Sequence, residues 1–186
     1  MEVQPTAVAD ERRHRTGLVM LFTGCGKGKT TAALGTLLRS WGWGWRTAVI
    51  QFIKAEGSDW GEIRAARRLG VEWHTTGAGF TWDKRDLAAD AERARAAWEM
   101  AQGLIVSGDY DLVVLDEMTY PLSFGWLDQS AVLDWLSHNR PSHTTVVMTG
   151  RDAPPALVEF ADLATDMRNL KHPHQRGLDA QRGLEY

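Results

Sequence analysis

The run Thr23-Gly24-Cys25-Gly26-Lys27-Gly28-Lys29-Thr30-Thr31 concentrates groups suited to holding an anion. Alternating glycines let a backbone turn tightly and aim successive N–H groups at one point. A helix starting just after them adds the positive end of its dipole. In such a loop the Lys29 ammonium reaches terminal phosphates and the Thr30 hydroxyl holds Mg²⁺. The segment from Gly24 to Thr31 is therefore expected to bind nucleotide phosphates. The general pattern G-x-x-x-x-G-K-[ST] is broken at one place, because Thr23 stands where its first glycine belongs.

A second motif agrees with the first. Asp111-Leu112-Val113-Val114-Leu115-Asp116-Glu117 is an apolar run closed by two carboxylates, and it resembles a Walker B strand. Mg²⁺ prefers oxygen ligands and keeps several waters, so Thr30, one carboxylate and the phosphates suffice. Cys25 has no histidine nearby in sequence and is expected to serve the loop through its backbone, not as a nucleophile. His172 and His174 flank Pro173 without a third ligand at a recognisable spacing, which favours loop packing over a metal pair. His74 is equally readable as a core histidine and as a substrate neighbour, and Arg151 as a candidate anion contact.

These residues need elements to position them. Leu18 to Phe22 is an unbroken apolar run that fits a strand buried on both faces. A helix is expected from the glycine loop to about Trp41, with Trp41-Gly42-Trp43-Gly44-Trp45 capping it and packing its rings. Further strands are expected at 46–53, 71–75, 111–116 and 144–149. A long helix is expected from about Asp83 to Ser107, with Leu87, Ala91, Ala94, Trp98, Ala101 and Ile105 forming one apolar stripe. Strand alternating with helix implies an α/β fold, a mainly parallel sheet with helices on both faces. In such sheets ligands bind at the carboxyl ends of the strands, where both motifs fall. Residues 1–16 read as a flexible polar arm and 17–186 as one domain.

Composition narrows the setting. The chain has 186 residues, a net charge of −3 and no evident basic stripe, which argues against a nucleic-acid partner. A single cysteine points to a reducing compartment. No apolar run approaches the ~20 residues of a membrane span, and the first residues lack the apolar core of a secretory signal. A cytoplasmic protein without membrane association is expected.

Phosphate-loop proteins carry out many reactions, so further words in the sequence matter. They are Val49-Ile50-Gln51-Phe52-Ile53-Lys54, Gly70-Val71-Glu72-Trp73-His74, Gly77-Ala78-Gly79-Phe80-Thr81-Trp82, Thr119-Tyr120-Pro121, Gly125-Trp126-Leu127, Thr149 to Pro155 and Lys171-His172-Pro173. With the glycine loop they closely resemble the P-loop type of ATP:corrinoid adenosyltransferase of cobalamin biosynthesis, from about Gly17 to Tyr186. The shortened loop is that family's own form. Ala55 departs from it, standing where a glycine is expected.

The resemblance implies a RecA-like P-loop fold and transfer of the 5′-deoxyadenosyl group of ATP to a Co(I) corrinoid, with release of triphosphate. It implies that Lys27, Lys29 and Mg²⁺ (or Mn²⁺) stabilise the leaving group, and that Glu117 is a metal-site carboxylate beside Thr30. It also implies that Phe80 and Trp82 pack under the corrin and expel its lower ligand, easing reduction of Co(II). A homodimer, and an electron donor such as a flavoprotein, belong to the same set of expectations. The rival readings are a P-loop ATPase or kinase and a nucleic-acid-binding P-loop module.

Overall fold

The computed structural model describes residues 12, 14–55, 57, 59–77 and 87–185. Phe80 and Trp82 lie outside the described residues. Strands β1 (Val19–Thr23), β2 (Thr47–Ala55), β3 (Glu72–Gly77), β4 (Leu112–Asp116), β5 (Thr145–Thr149) and β6 (Leu163–Asp166) form one sheet in the order β3-β2-β4-β5-β1-β6. Every pairing in it is parallel. The helices include α1 (Lys29–Gly42), α2 (Gly61–Leu69), α3 (Leu87–Val106), α4 (Thr119–Ser123), α5 (Gln129–Asn139) and α6 (Pro155–Phe160).

Alternation along the strands divides the core in two, because successive side chains of a strand leave opposite faces. Val19, Leu21, Ile50, Phe52, Val113, Leu115, Val146 and Met148 share one cluster with residues of α3, α4, α5 and α6. Phe22, Val49, Leu112, Val114 and Val147 share the other with α1 and α2. This two-sided burial is why the central strands read as unbroken apolar runs. The P-loop strand β1 and the acidic strand β4 are separated by β5, as expected of a RecA-like α/β fold.

Three local findings differ from the sequence reading. Leu87 is 57% exposed, because the sheet-packed part of α3 starts at Ala94. Trp43 is 66% exposed and contributes no buried packing, although its backbone N–H closes α1 on the Ser40 carbonyl. β6 has no apolar run to announce it: Leu163-Ala164-Thr165-Asp166 is an exposed edge strand, held by parallel pairing with β1. Ahead of β1, Arg12 and Arg15 both bond the buried carboxylate of Asp111.

Candidate nucleotide site

The glycine loop joins β1 to α1 at the carboxyl edge of the sheet, and β6 explains part of its composition. The chain just beyond β6 runs directly against the loop, where the Gly26 N–H donates to the Met167 carbonyl at 2.6 Å. A Cβ on Gly24 would lie 2.0 Å from Asp166 Oδ1, and one on Gly26 would lie 2.6 Å from Met167 O. Gly24 also has φ +98°, a conformation that side chains disfavour. These glycines are thus required by a neighbouring strand as well as by any bound phosphate.

Lys29, the first residue of α1, folds its buried ammonium back onto the loop and donates to Gly24 O (2.8 Å) and Gly26 O (2.7 Å). Burial, with the nearby Arg151 guanidinium, lowers its pKa. An anion in the loop would oppose both effects.

Thr30 follows, and its hydroxyl donates to Asp116 Oδ1 at 2.8 Å, not to Glu117. Asp116 is the hub of the site. Its Oδ1 also accepts from Thr149 Oγ1 (2.7 Å), its Oδ2 accepts from Gln51 Nε2 (2.9 Å), and Lys54 Nζ lies 3.7 Å from that oxygen. Parallel strands bring these groups together, since β4 is flanked by β2 and β5 and all three end at the same edge.

Glu117 adopts φ +61°, an uncommon conformation for a residue with a side chain. Its N–H donates to Thr149 Oγ1 at 2.9 Å, so one hydroxyl fixes both adjacent acids. Glu117 Oε2 is buried with no hydrogen-bond partner. Burial, reinforced by the charge of Asp116, pushes the Glu117 carboxyl up to about 7. A buried carboxylate oxygen with unused lone pairs, lining the same cavity as a threonine hydroxyl whose proton is committed to Asp116, is a donor set that suits a hard cation. Among the described residues no group of three or more His, Cys, Asp or Glu side chains is arranged to hold a metal by itself.

A cavity of about 700 Å³ opens above these groups, lined by Cys25 to Thr31, Glu117, Lys54 and Arg151. Gly24 is not among the lining residues and offers its carbonyl to Lys29. The far wall is the C-terminal segment, including His172, His174 and Leu184, and Glu185 makes an ion pair with Lys27. His172 Nδ1 accepts from the His174 backbone N–H at 3.3 Å, capping the short 3₁₀ turn Pro173–Arg176. His74 pairs with Glu72 at 2.8 Å on β3 and does not line the cavity.

Sequence reasoning named neither Asp116 as the partner of Thr30 nor Gln51, Lys54 and Thr149 as site residues. Thr149 had a signal, since it closes a strand at the ligand edge. Gln51 had one too, as a lone amide inside an apolar strand.

Residues 15–186 match the family described as ATP:corrinoid adenosyltransferase BtuR/CobO/CobP. The corrinoid adenosyltransferase of Pseudomonas aeruginosa is 40% identical over 186 residues, spanning 97% of this chain and 91% of that protein. The corrinoid adenosyltransferase of Escherichia coli strain K12 is 38% identical over 177 residues, spanning 95% and 87%. Corrinoid adenosyltransferase CobA of Salmonella typhimurium is 38% identical over 180 residues, spanning 97% and 89%.

Proposed function

From the premise that this chain belongs to the ATP:corrinoid adenosyltransferase family, we propose that it moves the 5′-deoxyadenosyl group of ATP onto the Co(I) centre of a corrinoid. Cobalt supplies both electrons of the new Co–C bond, the C5′–O bond breaks, and its electron pair leaves with triphosphate. No protein base is required, because the nucleophile is the reduced metal of the substrate. What remains for the protein is to hold C5′ in line and to neutralise the leaving group.

The observation that carries this reading is the meeting of the glycine loop, Thr30 and the partnerless Glu117 oxygen along one cavity, with Asp116 bonded to the Thr30 hydroxyl. Cys25 to Thr31 hold the triphosphate, Gly24 supplies the turn that shapes their loop, and Lys27 and Lys29 offset the charge. Thr30 and Glu117 hold Mg²⁺ or Mn²⁺, whose chemical contribution is to neutralise charge that builds on the departing triphosphate. Phe80 and Trp82 act on the corrin face, as family resemblance implies. The protein works in the cytoplasm as a homodimer, supplied with electrons by a donor such as a flavoprotein.

Anaerobic incubation with ATP, Mg²⁺ and chemically reduced cobalamin tests the reaction. The expected result is loss of the Co(I) spectrum with one triphosphate formed per corrinoid alkylated. Release of ADP, or triphosphate formation without corrinoid, overturns it.

A further inference from the structure

Gln51 lies between Ile50 and Phe52 in β2, and its side chain is 0% exposed. A buried amide is tolerated only when both its ends find partners. Here both do: Nε2 donates to Asp116 Oδ2 at 2.9 Å, and Oε1 accepts from the Trp73 indole N–H at 3.2 Å. An indole nitrogen can only donate, so it admits one of the two amide orientations, with the carbonyl toward Trp73. The NH₂ group must then face Asp116, which as a carboxylate can only accept.

The backbone of Gln51 is held from the same side, its carbonyl accepting from Thr76 Oγ1 at 3.0 Å. A directed chain of hydrogen bonds therefore crosses the sheet from β3 through β2 to β4. It ends on the acid that receives the Thr30 hydroxyl. With its proton committed to Asp116, Thr30 keeps its lone pairs for a cation. Without the Gln51 donor, Asp116 Oδ2 has Lys54 as its remaining partner, 3.7 Å away. The carboxylate is then free to turn toward that ammonium and away from Thr30.

We propose that Gln51, oriented by Trp73, is a positioning residue for the nucleotide–metal site, setting the plane of Asp116 and through it the Thr30 hydroxyl. This rests on the reading of the cavity as a site for ATP with Mg²⁺.

Gln51→Met keeps the length of the side chain and removes the donor, while Trp73→Phe removes only the indole N–H and some ring. Each purified variant is titrated calorimetrically with ATP, once over a series of Mg²⁺ concentrations and once in EDTA, beside a melting curve. Gln51→Met is expected to raise the Mg²⁺ needed for half-maximal ATP affinity about 10-fold or more, and Trp73→Phe about 3-fold. Both should bind ATP in EDTA as the wild type does, because the glycine loop is untouched. An unchanged Mg²⁺ requirement in a folded Gln51→Met protein overturns the proposal, as does equal weakening with and without metal. If Gln51→Met does not fold, Trp73→Phe decides alone by the same two criteria. Wild-type protein whose ATP affinity ignores Mg²⁺ removes the premise itself, a failure visible before any variant is measured.

Discussion

Asp111 precedes β4 and Asp116 ends it, so two buried aspartates sit at opposite edges of the same strand. At the amino edge, Asp111 accepts two hydrogen bonds from Arg12 (2.8 Å each), one from Arg15 and one from the Arg46 backbone N–H (2.8 Å). At the carboxyl edge, Asp116 is held by two hydroxyls and an amide, with one ammonium at 3.7 Å. Its neighbour Glu117 has a buried oxygen with no partner at all. One edge neutralises its acid permanently with guanidinium groups. The other hydrogen-bonds its acid through neutral donors alone and keeps its one ammonium at 3.7 Å, which suits a site where a cation is to come and go. The lesson is that equal burial of a carboxylate has opposite meanings depending on whether its partners carry charge.

The comparison breaks most decisively at Asp111. Asp111→Ala strands two arginines and is expected to cost about 3 kcal/mol of folding stability in a denaturant melt. ATP affinity of the folded fraction should not change. Burial pushes the Asp111 carboxyl up, but bonds from Arg12 and Arg15 outweigh it and leave the pKa below 3.8. Its contribution to stability is therefore present above the unfolded value and lost as pH falls through the lower, folded one. A stability loss confined to acid pH in the wild type, absent in Asp111→Ala, checks the sign.

Lys29→Ala acts at the other edge and should behave in reverse. Loss of one charge-assisted phosphate contact is worth about 1.5–3 kcal/mol, or ~10- to 150-fold in ATP affinity. The melting temperature should stay near that of the wild type. Equal damage to binding and stability would erase the distinction between the edges.

Glu117→Gln sharpens it. The folded carboxyl titrates near 7 against 4.5 unfolded, so its stabilising share is present below 4.5 and lost as pH rises through 7. Removing that acid should raise the stability of the nucleotide-free protein above pH 7 by up to about 3 kcal/mol. The same variant should need more Mg²⁺ for turnover. A Glu117→Gln protein no more stable than wild type at pH 8 would mean that the open oxygen carries no penalty.

Much of this was readable beforehand because it is local. Glycine spacing and a lysine–threonine pair mark the loop, and apolar runs of five or six residues mark buried strands. The amphipathic stripe marks α3 from Ala94 onward. β6 escaped because an exposed edge strand, made by pairing with β1, needs no apolar run of its own.

By itself, then, the sequence determined the phosphate loop, the acidic strand, the alternation of strand and helix, and the family likeness carried by its motifs. Only the tertiary structure decided which groups meet. Thr30 takes Asp116 across 86 residues, Gln51 takes the same acid across 65, and Lys27 takes Glu185 across 158. Such pairings depend on strand order and register, and those follow from how two apolar faces of one sheet are covered at once. Burial pushes Glu117 up, while arginine partners hold Asp111 down in spite of burial, and both burial and partners are properties of the packed sheet, not of any residue in the chain.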